Sequence, residues 1–234
     1  MQQANSTLLR CAISVSVLRA GAVRLMQGSG RTVDLRRDAR GHGLITVARV
    51  LHEVSQEFRM LVDSDHEVEQ LARHGIGADT AGVIDTDVGV LLGLPHSTGT
   101  AGQRPAMRVF GTVLSVKPIE QGAGVSYGYT YRAPRDSQVA LVTGGYAQGL
   151  VRSLGNNITV DIAGTLHPVV GRVAMDVCVV DVGDAPVSAG DTVTFFGGTG
   201  PTAPHLQQWA DVSGLWPEEL ATTIGLAAAR EVEE

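Results

Sequence analysis

The chain has 234 residues, 44% of them apolar, and a formal net charge of −6, so it is long enough for one large domain or two ordinary ones. The acidic balance and the lack of basic runs argue against nucleic acid as the main partner, and no apolar run reaches membrane-spanning length. Cys11 and Cys178 lie far apart without metal-ligand spacing, which favours a reducing compartment over a disulfide framework. We therefore expect a cytoplasmic protein without a metal site.

Residues 1–96 alternate strand patterns with helical ones. The strand patterns occupy the start of 11–18 and the runs 32–35, 59–62 and 83–94. Apolar residues recur at helical spacing from Leu44 to Val54, and Ser64 with Glu67 three residues on forms a capping box for the next helix. This βαβα order predicts parallel strands with helical crossovers.

The composition changes after residue 96. The stretch 97–104 is rich in Gly, Ser and Thr and predicts a linker. Short β-rich runs then follow at 109–116, 125–132, 138–142, 158–162, 167–182 and 191–196. Turn signals separate these runs, which predicts an antiparallel sandwich or barrel within 105–234. The end is predicted to be helical at 204–212 and again from Pro217, which suits a first helical turn.

The most unusual of the β-rich runs is Gly124–Ala133, which holds three of the four tyrosines of the chain. Because strand side chains alternate between two faces, Tyr127, Tyr129 and Tyr131 are expected to share one face, next to Arg132. Such a surface suits proton chemistry, while an aromatic stripe in the core is the plain structural alternative.

Two further segments carry candidate functional residues. A predicted strand runs into Gly144-Gly145-Tyr146, where the glycines allow a tight turn that presents Tyr146 near Arg152. In the segment 171–176, alternation places Arg172 and Asp176 on one strand face. A plain hairpin loop also explains the first segment, and a structural ion pair also explains the second.

Taken together, the three segments resemble the C-terminal β domain of the alanine racemase family, the fold-type III pyridoxal-phosphate enzymes. The resemblance covers roughly residues 105–225, and the order and separations of its motifs agree with the family pattern. It rests on Val125-Ser126-Tyr127-Gly128 with Tyr131 and Ala133, on Gly145-Tyr146-Ala147 with Gly149 and Arg152, and on Val170-Gly171-Arg172 with Met175-Asp176.

The resemblance implies an enzyme that interconverts L- and D-alanine, with pyridoxal phosphate bound to a lysine of a (β/α)8 barrel. That lysine and a tyrosine act as two bases in the family, and the tyrosine position is Tyr127 here. Tyr146 matches the tyrosine at the active-site entrance, and Met175 matches the residue whose backbone N–H meets the substrate carboxylate. The positions that line or support the entrance are Arg152, Arg172 and Asp176. In the family these groups serve the other subunit's cofactor, which implies a head-to-tail dimer.

The N-terminal part resembles the family's barrel less closely. The run 33–43 looks like the cofactor-lysine motif, but Arg36 stands at the lysine position. Arg40 stands at the position of a tyrosine that binds phosphate in the family. A guanidinium, with a pKa above ~12, stays protonated and cannot form the aldimine. About 120 residues of a typical barrel have no counterpart between Ile76 and Val83.

The family pattern resumes after this gap at Gly89 and Val90, which resemble the last barrel strand and its backbone contacts to the phosphate. Asp87 stands where the family has the arginine that meets the pyridine nitrogen. Near the end, Arg230 matches a family arginine, although the family tyrosine two residues further on is replaced. The single lysine of the chain, Lys117, lies in a β-domain strand and is interpreted as an ordinary surface lysine.

These observations predict an α/β plus all-β protein: the remnant of a (β/α)8 barrel at 1–96, too short to close, and a C-terminal antiparallel β domain at 105–234. The leading hypothesis is an alanine racemase family protein that is inactive or severely impaired alone, with no covalent bond to the cofactor expected. One alternative is a non-catalytic module that pairs through its β domain with a full-length racemase. The other is a racemase that binds its cofactor noncovalently. The expected partners are alanine and a second subunit, in a homodimer or a heterodimer.

Overall fold

The computed structural model of the chain describes residues 8–95 and 104–234. The expected linker at 97–104 lies outside the described residues except for Arg104. Within the two described ranges, no helix combines the length and the apolar character that crossing a bilayer requires.

The first range, 8–95, contains three strands and five helical segments. In chain order these are β1 (Arg10–Ser14), α1 (Val15–Gln27), β2 (Thr32–Asp34), α2 (Arg36–Arg40), α3 (Leu44–Val54), β3 (Arg59–Leu61), α4 (Asp65–Ala72) and α5 (Val88–Leu92). β2 and β3 pair in parallel, as the βαβα order predicts. The capping box is also confirmed, because the Ser64 side chain accepts the Glu67 N–H and the Glu67 side chain accepts the Ser64 N–H.

The run 83–94 is not the strand that its composition predicts. Its apolar part forms the short helix α5, in which all five residues are buried. The Asp87 side chain caps this helix by accepting the Gly89 N–H at 2.9 Å. A short apolar run that is buried on all sides shows neither the helical nor the strand period, so composition alone favours the wrong element. The aspartate just before the run is the helix-start signal that corrects it.

The second range, 104–234, contains nine strands, two α-helices and two 3-10 turns. In chain order these are β4 (Met107–Ile119), β5 (Gly124–Val125), β6 (Tyr131–Arg132), β7 (Ser137–Thr143), turns at Tyr146–Gln148 and Arg152–Leu154, β8 (Thr159–Ile162), β9 (Thr165–Val170), β10 (Val177–Asp181), β11 (Thr192–Phe196), α6 (His205–Ser213), α7 (Pro217–Ala227) and β12 (Ala229–Glu233). Both helices occur where the sequence predicts them, and Pro217 opens α7.

Six of the strands close into a ring. The order β11-β8-β9-β10-β7-β4 returns to its start because β11 also pairs with β4, and every one of these pairs is antiparallel. The predicted antiparallel β domain is therefore confirmed. β1 adds to the outside of this ring along β4, and β12 adds to β1 in parallel. Pairing of the N-terminal strand with the last strand depends on tertiary contacts, and no local pattern predicts it.

One hydrophobic core cluster runs through both ranges. It includes Leu51 and Met60 from the first range and Trp209 from the second, and all three are almost fully buried. Where the ranges meet, the Leu9 N–H donates to the buried side-chain oxygen of Gln148 at 2.6 Å. We call residues 15–95 the N-terminal layer. This layer is packed against the C-terminal strands, with burial of apolar surface as the main stabilising contribution.

Candidate functional site

The tyrosine-rich run Gly124–Ala133 is a hairpin with a loop at its tip, not one continuous strand. β5 pairs antiparallel with β6, and residues 126–130 form the turn between them. The backbone has positive φ at Ser126, Gly128 and Tyr129, at 58°, 78° and 45°. Because strand alternation does not hold across such a turn, the expectation that the three phenols share one strand face is wrong.

The three phenols of this hairpin have different surroundings. Tyr127 is 73% exposed and Tyr129 is 64% exposed, whereas Tyr131 is partly buried. The Tyr131 hydroxyl donates to one oxygen of Asp181 at 2.8 Å, and the Ser137 hydroxyl donates to the other at 2.5 Å. Burial, together with the hydrogen bond to Asp181, raises the pKa of Tyr131 to about 12. Tyr131 therefore keeps its proton and anchors the hairpin to β10, while Tyr127 stays accessible.

The segment 171–176 is also a loop, and it connects β9 to β10. Arg172 and Asp176 therefore do not share a strand face, and the expected alternation is wrong here too. Gly171 has a φ of 73°, and a Cβ at this position would lie 2.8 Å from the Cβ of Ser126, so the two loops approach closely only because this residue is glycine. The Ser126 hydroxyl donates to the Arg172 carbonyl at 2.7 Å and links the loops directly.

The turn at Gly144-Gly145-Tyr146 follows β7, as the sequence predicts, and joins the same group of loops. The Tyr146 N–H donates to the Ala174 carbonyl, and the Ala147 N–H donates to the Met175 carbonyl, both at 2.9 Å. A Cβ at Gly145 would lie 2.1 Å from the Met175 oxygen, so only glycine permits this approach. Backbone hydrogen bonds therefore hold the Tyr146 turn against the Met175 segment.

These three segments form an exposed surface that we call the tyrosine surface. It consists of Tyr127, Tyr146, Arg152, Arg172, Met175 and Asp176. Met175 is 55% exposed and Tyr146 is 44% exposed. The Arg152 guanidinium lies 5.6 Å from the centre of the Tyr146 ring, within the range of a cation–π contact. The structure thus brings together candidate residues from three separate parts of the sequence.

Arg36, just after β2, forms a bidentate ion pair with Asp34, with 2.7 Å from Nε to Oδ1 and 2.8 Å from Nη2 to Oδ2. The Asp34 side chain is 4% exposed and also accepts from Arg40 at 2.6 Å. Arg40 in turn pairs with Glu218 of α7 at 2.8 Å. Burial raises the pKa of Asp34, but the hydrogen bonds from Arg36 and the charges of Arg40 and Arg36 together outweigh burial and hold this pKa below its ordinary value. The guanidiniums of Arg36 and Arg40 are therefore both ion-paired with the charged Asp34 carboxylate.

The residues after Arg36 form a left-handed turn. φ lies between 51° and 59° at the four consecutive residues Arg37–Arg40, a conformation that costs roughly 1–2 kcal/mol per residue outside glycine. The surrounding contacts offset this cost, because the Asp38 carboxylate pairs with Arg230 at 2.5 Å. A Cβ at Gly225 would lie 2.2 Å from the Gly41 carbonyl oxygen, so α7 packs directly on the turn.

A sequence model of one family, described as alanine racemase, C-terminal domain, matches residues 106–232, which is more than half of the chain. The chain belongs to the alanine racemase family. The alanine racemase of Salinispora arenicola is 41% identical over 131 residues, 56% of this chain and 35% of that protein. The alanine racemase of Mycobacterium tuberculosis strain H37Rv is 45% identical over 127 residues, 53% of this chain and 33% of that protein. The match spans about a third of the length of these relatives.

Solved alanine racemase structures share the fold of this family member. The enzyme from D-cycloserine-producing Streptomyces lavendulae superposes with a TM-score of 0.81 at 18% sequence identity, over 97% of each chain. The alanine racemase of Oenococcus oeni gives a TM-score of 0.79 at 15% identity, over 97% of this chain and 98% of that one. At such low identity the likeness establishes a common fold and nothing further.

The N-terminal residues of this alanine racemase family member do not fit a pyridoxal phosphate held through an amine. Arg36 offers no amine, and its guanidinium is already paired with Asp34. At the start of α5, Asp87 occupies the backbone donors: its carboxylate accepts the Gly89 N–H at 2.9 Å, and its carbonyl accepts the Val90 N–H at 3.1 Å. A carboxylate in this place repels a phosphate. Within the described ranges, no group of His, Cys, Asp and Glu side chains is arranged to hold a metal ion.

Sequence patterns give no functional signal for two residues that shape the tyrosine surface. Asp181 anchors the hairpin through Tyr131, and Asn156 contacts two of the site loops. The run Gly155-Asn156-Asn157 predicts only a turn, because asparagine and glycine both favour turns. Long-range contacts define the roles of both residues, so only the folded chain reveals them.

Proposed function

We propose that this alanine racemase family protein does not racemise alanine by itself, or does so at a severely reduced rate. The observation that carries the proposal is the bidentate ion pair between Arg36 and the buried Asp34. A covalent bond to pyridoxal phosphate requires a neutral amine, and a guanidinium stays protonated throughout the physiological pH range. The hydrogen bond to Asp34 raises the pKa of Arg36 further. The position that forms the aldimine in the family is thus a structural cation here.

The small size of the N-terminal layer supports the same proposal. Within the first described range, β2 and β3 are the strands that pair in parallel. A closed (β/α)8 barrel needs eight parallel strands, and two strands cannot surround a substrate. We infer that this layer is a barrel remnant that no longer forms a reaction chamber of its own.

The tyrosine surface corresponds to the C-terminal half of a racemase site. By family position, Tyr127 is the second base, Met175 offers its backbone N–H to the substrate carboxylate, and Tyr146 lines the entrance. A phenol with a pKa near ~10 needs neighbouring cations to accept a proton near neutrality. The Arg172 guanidinium lies beside the backbone of the Tyr127 segment, since a Cβ at Gly128 would lie 3.6 Å from it. The remaining supporting positions are Arg152 and Asp176.

A second candidate function is a non-catalytic module that pairs with a full-length racemase. Tyr127 and Met175 are 73% and 55% exposed, although hydrogen bonds to neighbouring segments fix both of their loops. An exposed surface held in one geometry suits docking against the barrel of another subunit, where the family places these groups. In such a heterodimer the partner supplies pyridoxal phosphate and binds alanine, and both subunits share the cytoplasm. A homodimer of this chain supplies the tyrosine surface twice and the cofactor lysine not at all.

Borohydride reduction tests the first proposal. The purified chain is mixed with pyridoxal phosphate, the aldimine absorbance at the edge of the visible range is recorded, and borohydride is added to fix any imine. We expect neither the absorbance nor a stoichiometric adduct by mass spectrometry. The variant Lys117→Arg separates adducts at the single lysine from others, and a stoichiometric adduct at any residue contradicts the proposal.

Co-purification tests the second candidate. A tagged chain is expressed together with an untagged full-length racemase, and the purified complex is assayed for conversion of L-alanine with D-amino-acid oxidase as the coupling enzyme. We expect a mixed dimer whose activity falls at least tenfold when this chain carries Tyr127→Phe, as for other removed catalytic groups. Recovery of the tagged chain without the racemase contradicts the pairing.

A further inference from the structure

We propose that Asn156 is a positioning residue that fixes the loop carrying Tyr127 relative to the loop carrying Met175. We call residues 126–130 the Tyr127 loop and residues 171–176 the Met175 loop. The inference rests on the proposed function in one respect, namely that both loops face the same substrate. The geometric part, that Asn156 couples the two loops, stands on contacts of this chain alone.

The amide of Asn156 bridges the two loops. Its oxygen accepts the Gly171 N–H at 2.6 Å, and its nitrogen donates to the Thr130 hydroxyl at 3.1 Å. Gly171 is the first residue of the Met175 loop, and Thr130 is the last residue of the Tyr127 loop. Because a backbone N–H can only donate, the oxygen of the amide must face Gly171, and the nitrogen then faces Thr130. One planar group therefore sets the spacing between the loops.

The backbone of Asn156 is itself fixed. Its N–H donates to the Val169 carbonyl at 3.0 Å, at the end of β9, and its φ is 67°. Asparagine tolerates this left-handed conformation better than most residues. A Cβ at the preceding Gly155 would lie 2.1 Å from the Gly171 oxygen, so the chain at Asn156 rests directly on the start of the Met175 loop. The amide is thus presented from a rigid support.

Both ends of the Tyr127 loop are tied to the Met175 loop. At the first end, the Ser126 hydroxyl donates to the Arg172 carbonyl at 2.7 Å. At the second end, Thr130 is connected through Asn156 to Gly171. The exposed Tyr127 lies between these two ties. Loss of the Asn156 tie leaves the Tyr127 loop attached to the Met175 loop at the Ser126 end alone.

Precise spacing matters because a base and a carboxylate donor act on one small molecule. Catalytic groups have to be held to within about 0.5 Å of their productive positions, and a displacement of 1 Å can cost a hundredfold in rate. Asn156 touches neither the substrate nor a reacting atom. It acts through the two loops, which makes it a positioning residue rather than a catalytic one.

The neighbouring Asn157 provides a matched control. Its side-chain nitrogen donates to the Ser153 and Gly155 carbonyls, at 2.9 and 3.1 Å, and both acceptors belong to its own turn. Removing the Asn157 side chain disturbs the same turn without breaking the bridge to Thr130. For the test variant, Asn156→Gly removes both side-chain bonds and leaves the positive φ unstrained.

Fluorine NMR tests the coupling directly. The chain has four tyrosines, so uniform labelling with 3-fluorotyrosine gives four signals that single Tyr→Phe variants assign. In the full chain, we expect Asn156→Gly to shift or broaden the signals of Tyr127 and Tyr129, while Tyr146 stays unchanged. We also expect exchange of the Gly171 amide to accelerate about tenfold, the effect of losing one ordinary hydrogen bond. Asn157→Gly should change neither quantity.

Two further variants distinguish loss of the Asn156 bridge from a general loss of protein stability. Asn156→Asp retains an acceptor for Gly171, and the Thr130 hydroxyl can donate to it, so this variant should restore most of the Tyr127 signal. Thr130→Val should disturb Tyr127 as Asn156→Gly does, and combining the two should add little. Equal effects of Asn156→Gly and Asn157→Gly on Tyr127 overturn the coupling. If the coupling is found but a mixed dimer with a full-length racemase is not, the proposed pairing fails and the positioning role stands.

Discussion

The two described ranges of this molecule differ in how the backbone groups at their strand edges are hydrogen-bonded. In the second range, six strands hydrogen-bond around a closed ring. In the first range, β2 and β3 form a sheet of two, and a short loop covers its edges. The Asp85 carboxylate accepts the Thr32 N–H at 2.6 Å on one side, and Asp79 bridges to Leu61 on the other. The two-stranded β2–β3 sheet is therefore covered at its edges by residues of its own range.

The two parts also differ in how their polar side chains are used. The tyrosine surface exposes its candidate residues on the C-terminal ring. In the N-terminal layer, the charged residues at the proposed cofactor positions form ion pairs, such as Arg36 with Asp34 and Arg40 with Glu218. One region therefore carries a candidate functional surface, while ion pairs of the buried Asp34 carboxylate help hold the other together.

The largest effect is expected where α7 packs on the left-handed turn. Gly225→Ala places a Cβ 2.2 Å from the Gly41 carbonyl oxygen, and backbone cannot yield as a flexible side chain does. We expect a loss of about 3 kcal/mol in the free energy of unfolding, the upper end for overpacking. Urea denaturation measures it. Gly77→Ala is the control, because nothing lies within 4 Å of a Cβ there. If both variants are equally stable, the two regions are not joined through this contact.

A second test uses pH. His42 is fully buried, and burial lowers its pKa from 6.5 to about 4. Between pH 6.5 and 4 the unfolded chain therefore binds a proton at His42 that the folded chain does not bind. His42 thus lowers the free energy of unfolding progressively as the pH falls through this range. The difference amounts to about 3 kcal/mol near pH 4 and vanishes above neutrality. His42→Gln should flatten this part of the stability profile, and the exposed His66→Gln should not. Parallel profiles for both variants contradict the assignment.

A third test addresses the charged pairs of the N-terminal layer. Asp34→Asn removes the charge that Arg36 and Arg40 share, and the Asp34 side chain is 4% exposed. We expect a loss of about 2 kcal/mol by urea denaturation, as for other charged hydrogen bonds. The exposed pair Arg19–Glu53 serves for comparison, and Glu53→Gln should change stability by less than about 0.5 kcal/mol. An Asp34→Asn variant as stable as the parent shows that the network is not structural.

The smallest effect is expected at the covered edge of β2. Backbone hydrogen bonds, first from Thr32, hold the pKa of Asp85 below its ordinary value. Because this pKa is lowered on folding, the contribution of Asp85 is present above the unfolded pKa of 3.8 and is lost as the pH falls through the folded value. Asp85→Ala should accelerate hydrogen exchange at the Arg31 and Thr32 amides and leave the ring amides unchanged. Unchanged exchange at both amides shows that another group covers this edge.

Elements with local signals could be predicted from the sequence. The Ser64 capping box and the proline at the start of α7 specify helix starts within a few residues, and both occur as expected. The tyrosine hairpin could not be predicted in the same way. Its β-branched and aromatic composition favours a strand, yet Ser126 and Tyr129 adopt positive φ, which neither residue type favours. Contacts with the Met175 loop override the local preference there.

The sequence supplies candidate site residues but not their geometry. Spaced motifs identify Tyr127, Tyr146 and Met175, because each motif is short and contiguous. Their arrangement depends on loops that meet only in the folded ring, through glycines that permit approaches closer than a side chain allows. The bridging role of Asn156 depends on partners 26 and 15 residues away, so no window of the sequence contains it.

We propose that this chain alone does not racemise alanine. The most direct measurement is the formation of D-alanine from L-alanine by the purified 234-residue chain with added pyridoxal phosphate, followed with D-amino-acid oxidase. We expect a rate no higher than that of pyridoxal phosphate in buffer. A rate well above that background, which disappears when the chain carries Tyr127→Phe, would show a working active site and contradict the account.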